Sequence, residues 1–184
     1  MRGRIVGAGV AALLAAGCGA EAEPVAVPPP APVAADVAAA SSGGACRLLD
    51  FDVIEQHAGF RFDVAAASET GDSHTCVVRA GRAALPELTL TVTETSIDVA
   101  TFTADVVPEK AAKVSGLGQR AYQRTTSAKG ALGPVEEVGW LAAGGRLATL
   151  RYATPPDADK AAAESLTTTL IALAKQLDTA TLHP

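Results

Sequence analysis

Four side chains in the body of this chain carry the chemistry of thiols and imidazoles: Cys46, His57, His74 and Cys76. Two uses are open to them, a disulfide or a metal site. His74-x-Cys76 puts both side chains on one face of a strand, as a ligand pair requires. At the other end, His57 lies eleven residues beyond Cys46. That is about 16 Å along if the segment stays helical, too far for a compact second pair. A disulfide meets no such obstacle. It would close a loop of 31 residues and stabilise the fold by about 3–4 kcal/mol on the chain-entropy estimate. No metal is expected, and the disulfide stands or falls with the compartment.

Gly116-x-Gly118-x-x-Ala121, with Glu136 twenty residues further on, fits a dinucleotide fingerprint. That chemistry needs the glycines to follow a strand and open a helix whose N-terminus holds pyrophosphate. Here a helix-like run precedes them and a strand-like run with Tyr122 follows. The pattern reads instead as a glycine turn that allows positive φ or close backbone approach, and no cofactor is expected. Glu136 and Glu137 alternate across a strand, so their carboxylates point to opposite faces and form no local acid/base pair. Asp157 and Asp159 sit where helix starts attract acids. Thr89, Thr91 and Thr93 form the solvated face of a sheet or a binding platform, and Trp140 reads as core. No Gly-x-Ser-x-Gly, His-Glu-x-x-His or Ser-x-x-Lys motif occurs. The catalytic set is therefore empty, and the binding residues are unknown.

The compartment follows from the first residues. Arg2 and Arg4 precede an apolar run over residues 5–14. Ten residues suit the core of a secretory signal and fall short of the ~20 that span a bilayer. Ala15, Ala16 and Gly17 then lead into Cys18. This resembles the lipobox of bacterial lipoproteins, in which the cysteine is diacylated on sulfur and becomes the first residue of the mature chain. One position departs from it: Ala15 stands where Leu is favoured. Cysteine arithmetic agrees, because acylating Cys18 leaves an even pair and no stray thiol. The expected organisation is a signal peptide over 1–17, lipidated Cys18 with a linker to residue 45, and one globular domain over 46–184. The expected location is the extracytoplasmic face of the cell membrane, with the lipid on Cys18 as membrane partner.

The linker, GAEAEPVAVPPPAPVAADVAAASSGGA, holds five prolines and no aromatic residue. It has nothing to bury and should stay disordered or partly polyproline II. Fully extended, it would reach about 80 Å at ~3.1 Å per residue. Cleavage before Cys18 would remove Arg2 and Arg4, making the chain more acidic than its formal −5. An acidic protein lacks the basic surface that neutralises phosphates, so no nucleic-acid partner is expected. A polybasic membrane contact is disfavoured for the same reason.

The elements that would position these residues follow from periodicity. A helix is expected over 48–59, capped by Asp50 and ended by Gly59, with Leu49, Val53 and Ile54 on its apolar side. Strands are expected in FRFDVAAAS (Phe60, Phe62 and Val64 alternating), in HTCVVRAG and in PELTLTVTET, where Leu88, Leu90 and Val92 share a face. Thr95-Ser-Ile-Asp98 resembles a capping box opening a helix with Val99, Phe102 and Val106, which Pro108 ends. QRAYQRTT, PVEEVGWLA and RLATLRYAT read as three more strands. A final helix from Asp157 carries Leu166, Leu170, Leu173, Ala174 and Leu177 as a stripe. The order α-βββ-α-βββ-α implies an α+β fold with an antiparallel sheet of about six strands and helices packed on it.

ACRLLDFDVIEQHAG, HTCVV and VSGLGQRAY together resemble a family of actinobacterial lipoproteins known as a domain of unknown function. Its members show a Cys-x-Leu-Leu entry to the first helix, a second cysteine on an early strand, and a Gly-Leu-Gly-(acid)-x-Ala-Tyr turn into a strand. The resemblance spans roughly residues 45–177. Gln119 replaces the usual acid, and Val77-Val78 follows Cys76 where Cys-x-Trp is common. Extracellular sensor domains of actinobacterial membrane kinases are similar at the same places. Neither resemblance implies a catalytic residue. The functional expectation is a tethered, non-catalytic domain that binds an envelope ligand or protein; the alternative is an envelope enzyme whose catalytic residues are scattered over strand ends.

Overall fold

The structure, a computed structural model, describes residues 39–59, 61–177 and 184. Cys18, the expected signal peptide, most of the expected linker, Phe60 and His183 lie outside the described residues. Described structure begins within the segment expected to be linker, with two short 3-10 turns, Ala39–Ser42 and Gly44–Leu48. Ala39 and Ala45 are buried; their methyls are small enough to lie beside Cys46 in the core. The first helix, α1 (Phe51–Ala58), starts at Asp50, whose carboxylate accepts from the Asp52 and Val53 backbone N–H groups. It stops at Gly59, which adopts the left-handed conformation.

Seven antiparallel strands follow: β1 (Val64–Thr70), β2 (Ser73–Arg79), β3 (Glu87–Glu94), β4 (Ala112–Val114), β5 (Arg120–Thr126), β6 (Val135–Ala142) and β7 (Arg146–Ala153). They form one sheet in the order β1-β2-β3-β7-β6-β5-β4. Two meanders are thus sewn together where β3 pairs β7, with Leu90 opposite Leu150. The α+β class and antiparallel sheet are as expected, but the strands among the described residues number seven rather than about six. The additional strand is β4, in a stretch expected to be helix-like. Its three residues pair with β5, so tertiary pairing overrides a weak local helical preference.

One face of the sheet carries the main core. Leu88, Leu90 and Val92 are buried there beside Cys76, Val78, Ala148, Leu150, Val138 and Trp140. Over them lie Ile54 of α1 and the buried Leu170, Leu173 and Ala174 of the C-terminal helix. The expected single final helix is two, α3 (Lys160–Ser165) and α4 (Thr167–Leu177). Its cap is Asp159, which accepts from the Ala162 N–H at 2.7 Å, and not Asp157. The break falls at Leu166. Ser165 Oγ donates back to the Ala162 carbonyl, and three β-branched threonines follow, both of which weaken helix continuity.

The opposite face is covered only in part. The chain leaves β3 near the sheet centre and crosses this face to begin β4 at the far edge. Asp98, rather than Thr95, caps the crossing helix α2 (Val99–Thr101), accepting from the Thr101 N–H at 2.7 Å. A π-helical turn (Phe102–Val106) continues it, closed by a Val107 N–H to Phe102 carbonyl bond of 3.0 Å. Of the expected apolar residues, Phe102 and Val106 pack inward and Val99, in the turn before the π turn, does not. Phe102 is buried against Tyr122 and Leu141, whereas Val99 stays exposed. The expected Phe62/Val64 alternation also fails. Phe62, ahead of β1, enters the core, the next residue Asp63 donates its N–H to the Arg79 carbonyl, and Val64 faces solvent at the start of this edge strand.

Candidate functional site

Cys46 and Cys76 are bonded to each other, with Cα atoms 4.9 Å apart. The bond ties the 3-10 turn ahead of α1 to β2. Both thiols are thereby consumed, and among the described residues no group of three His, Cys, Asp or Glu side chains could hold a metal ion. His74 is half-buried, with Nδ1 3.5 Å from Glu69 Oε2. His57 sits separately on α1.

The glycine motif is a turn between two strands. Gly116 and Gly118 have φ of 69° and 51°, and Leu117 between them is buried. At Gly118 a Cβ would collide with the Leu141 carbonyl oxygen. The next residue, Gln119, donates from its N–H to that same carbonyl at 2.8 Å and from Nε2 to the Ala142 carbonyl at 3.2 Å. The turn is thus pinned to the end of β6, and β5 follows it, so there is no helix N-terminus to receive pyrophosphate. The run before it is the strand β4, not a helix.

Thr89, Thr91 and Thr93 share the open face, as alternation requires, and their hydroxyls are largely engaged across strands. Thr93 Oγ1 lies 2.8 Å from Ser73 Oγ and Thr91 Oγ1 3.3 Å from Thr75 Oγ1. Further along this face, Tyr122 donates from its hydroxyl to Glu137 Oε1 at 3.0 Å, and Arg124 Nε lies 3.2 Å from the same oxygen. The Tyr122 ring lies across Gly139, where any Cβ would collide with it. Burial first, and then the Glu137 charge, push the Tyr122 hydroxyl far above its usual range. It is a fixed donor, and the trio is an interlock across β5 and β6. Glu136, by contrast, points into the core face and is fully buried. The two acids are on opposite sides of the sheet. Trp140 is in the core.

The residues that sequence reasoning missed line a cleft of about 460 Å³: Asp72, Glu94, Thr95, Ser96, Gly144, Gly145 and Arg146. It forms where the β1–β2 turn, the end of β3 and the β6–β7 turn meet. Backbone bonds hold the three together: the Glu94 N–H to the Asp72 carbonyl at 3.0 Å, and the Thr95 N–H to the Gly145 carbonyl at 2.9 Å. Close approach requires glycine at 145, where a Cβ would strike the Thr95 carbonyl and φ is 73°. Arg146 braces the rim. Its Nη2 lies 2.9 Å from Glu94 Oε1, and its Nη1 donates to the Gly144 and Gly145 carbonyls at 3.1 and 3.3 Å. The guanidinium is mostly buried while Glu94 stays half exposed. Asp72, Ser96 and half of Glu94 are the exposed polar side chains of its lining.

No protein-family model, curated protein or solved structure matches the chain. Among the described residues, no helix is long and apolar enough to cross a membrane.

Proposed function

We propose that this protein is an exported lipoprotein, tethered through Cys18 to the outer side of the cell membrane, whose α+β domain binds a small polar ligand without transforming it. The arginine-led apolar run ending at Cys18 supports export and tethering. The Cys46–Cys76 bond suits the oxidising compartment that such export supplies. The same residues support kinship with the actinobacterial lipoproteins that the sequence resembles.

The observation that carries the binding reading is the cleft. It is polar, preassembled by turn-to-turn backbone bonds, and lined by two acids, two hydroxyl side chains and an arginine already engaged by Glu94, with no aromatic surface. Such a site selects ligands rich in hydroxyl or ammonium donors. Its acids are disposed for recognition rather than for catalysis. Glu94 is committed to Arg146, and none of the lining residues is a histidine, cysteine or lysine that could serve as a partner base or nucleophile.

The test is a two-dimensional NMR titration of the mature domain with a panel of neutral sugars, amino sugars and simple amines. The reading predicts saturable shifts centred on Asp72, Ser96 and residues 144–146, lost in Asp72→Asn/Ser96→Ala. Shifts elsewhere only, or none with any compound, contradict it. Product formation from any panel member would favour the enzyme instead.

A further inference from the structure

The geometry points to a proton-linked latch at Glu136 that holds the C-terminal helical arm, α3 and α4, against the sheet. Glu136 lies on the core face of β6 with no solvent exposure. Its carboxylate accepts two hydrogen bonds, one from the Thr125 hydroxyl on β5 and one at 3.0 Å from the hydroxyl of Thr167. Thr167 is the first residue of α4 and follows the break at Leu166. The carboxyl group therefore joins two strands to the break between α3 and α4. The rest of the arm is held by the apolar stripe of Leu170, Leu173 and Ala174.

The charges around Glu136 do nothing to stabilise an anion. Among the described residues no lysine or arginine pairs with it. From α3 it faces Glu164, whose nearest cation, Lys160, is taken up in a pair of 2.9 Å. Its chain neighbour Glu137 adds negative charge from the other face, where Arg124 is already engaged. From β7 it faces its cross-strand partner Tyr152, which burial keeps protonated. On α4, Lys175 sits two turns beyond Thr167, beside Gly116. Burial accordingly raises the Glu136 pKa above the ordinary 4.5, against the lowering effect of the two threonine hydroxyls.

The direction of the linkage follows. The folded state holds the Glu136 proton at pH values where the unfolded chain has lost it. The arm is therefore held most firmly below pH 4.5 and loosens as pH rises towards the folded value, beyond which the effect is constant. The proton passes to solvent as the arm opens. The neutral acid can remain in the apolar site with its hydroxyl partners; the anion is left without a counter-charge beside Glu164.

The experiment is hydrogen–deuterium exchange of the full mature protein from about pH 5 to about pH 9, with rates normalised for intrinsic pH dependence. In the wild type, opening of segment 160–177 should rise by up to about tenfold per pH unit within the window, as release of a single proton requires. In Glu136→Gln, which keeps the shape and stays neutral, that rise should vanish while the sheet strands exchange as before. An unchanged rise in Glu136→Gln, or no rise in the wild type, overturns the latch. Should Glu136→Gln fail to fold, carbon-13 titration of the wild-type Glu136 carboxyl decides. A midpoint above 4.5 that moves in step with exchange of 160–177 upholds it, and a midpoint at or below 4.5 overturns it.

Discussion

Replacing Cys46 and Cys76 together by alanine should cost this domain a large part of its stability. The bond closes a loop whose ends are 30 positions apart. On the chain-entropy relation, releasing that constraint gives the unfolded chain about 12 cal/mol/K, or about 3.7 kcal/mol at 25 °C. Both cysteines are fully buried and pack with Ala39, Ala45 and Leu90 in one core. The vacated sulfur volumes should therefore add roughly 1 kcal/mol in the same direction. A loss near 4–5 kcal/mol is comparable with the whole stability of many domains. The assay is urea unfolding at neutral pH without reductant, with midpoint and slope both fitted. With a slope of about 2 kcal/mol/M the midpoint should fall by roughly 2 M, and the slope itself should rise because the open unfolded chain exposes more surface. Reducing the bond in the wild-type protein should give a similar loss, smaller by the packing contribution. A loss below about 1 kcal/mol would refute the reasoning.

Gly118→Ala should destabilise by roughly 2–3 kcal/mol, from the positive φ and from the collision with the Leu141 carbonyl; a change below 0.5 kcal/mol on the order of surface substitutions would show that the turn adapts. Tyr122→Phe should cost about 1–2 kcal/mol by removing the hydroxyl donor from Glu137, and the double variant with Glu137→Gln should be non-additive; simple additivity would show that the two do not act as a unit. Asp98 should titrate below its ordinary 3.8, held down first by the backbone N–H of Thr101 and then by that residue's side chain. Its contribution to the α2 start is present above the unfolded value and fades as pH falls through the folded one, which NMR titration reads directly. A midpoint at or above 3.8 would contradict its role as the cap.

The parts of this fold that follow from local chemistry could be read in advance. Asp50 and Gly59 bracket α1 because a carboxylate and a glycine meet the needs of helix ends, whatever lies around them. Leu88, Leu90 and Val92 alternate with threonines because β3 has one buried and one open face. Local pattern failed where tertiary contacts decide. Residues 112–114 are a strand only because β5 offers them an edge, and the last helix breaks at Leu166 although the apolar stripe runs on through that residue. The separation of Glu136 from Glu137 was legible, but the complete burial of Glu136 was not, since nothing nearby in sequence shows that Thr167 will lie over it. The cleft was illegible for a further reason. Asp72, Glu94–Ser96 and Gly144–Arg146 are far apart in sequence, and only the β2–β3 and β3–β7 pairings bring them to one end of the sheet.

Tethering of the domain outside the membrane through Cys18 is the central proposal. Its most direct test is intact-mass and free-thiol analysis of the mature protein extracted from its own membranes. The account predicts a chain that begins at Cys18, carries two acyl chains on that residue, and shows no free thiol until Cys46–Cys76 is reduced. A membrane-free chain, an unmodified Cys18, or a mature start elsewhere would contradict it.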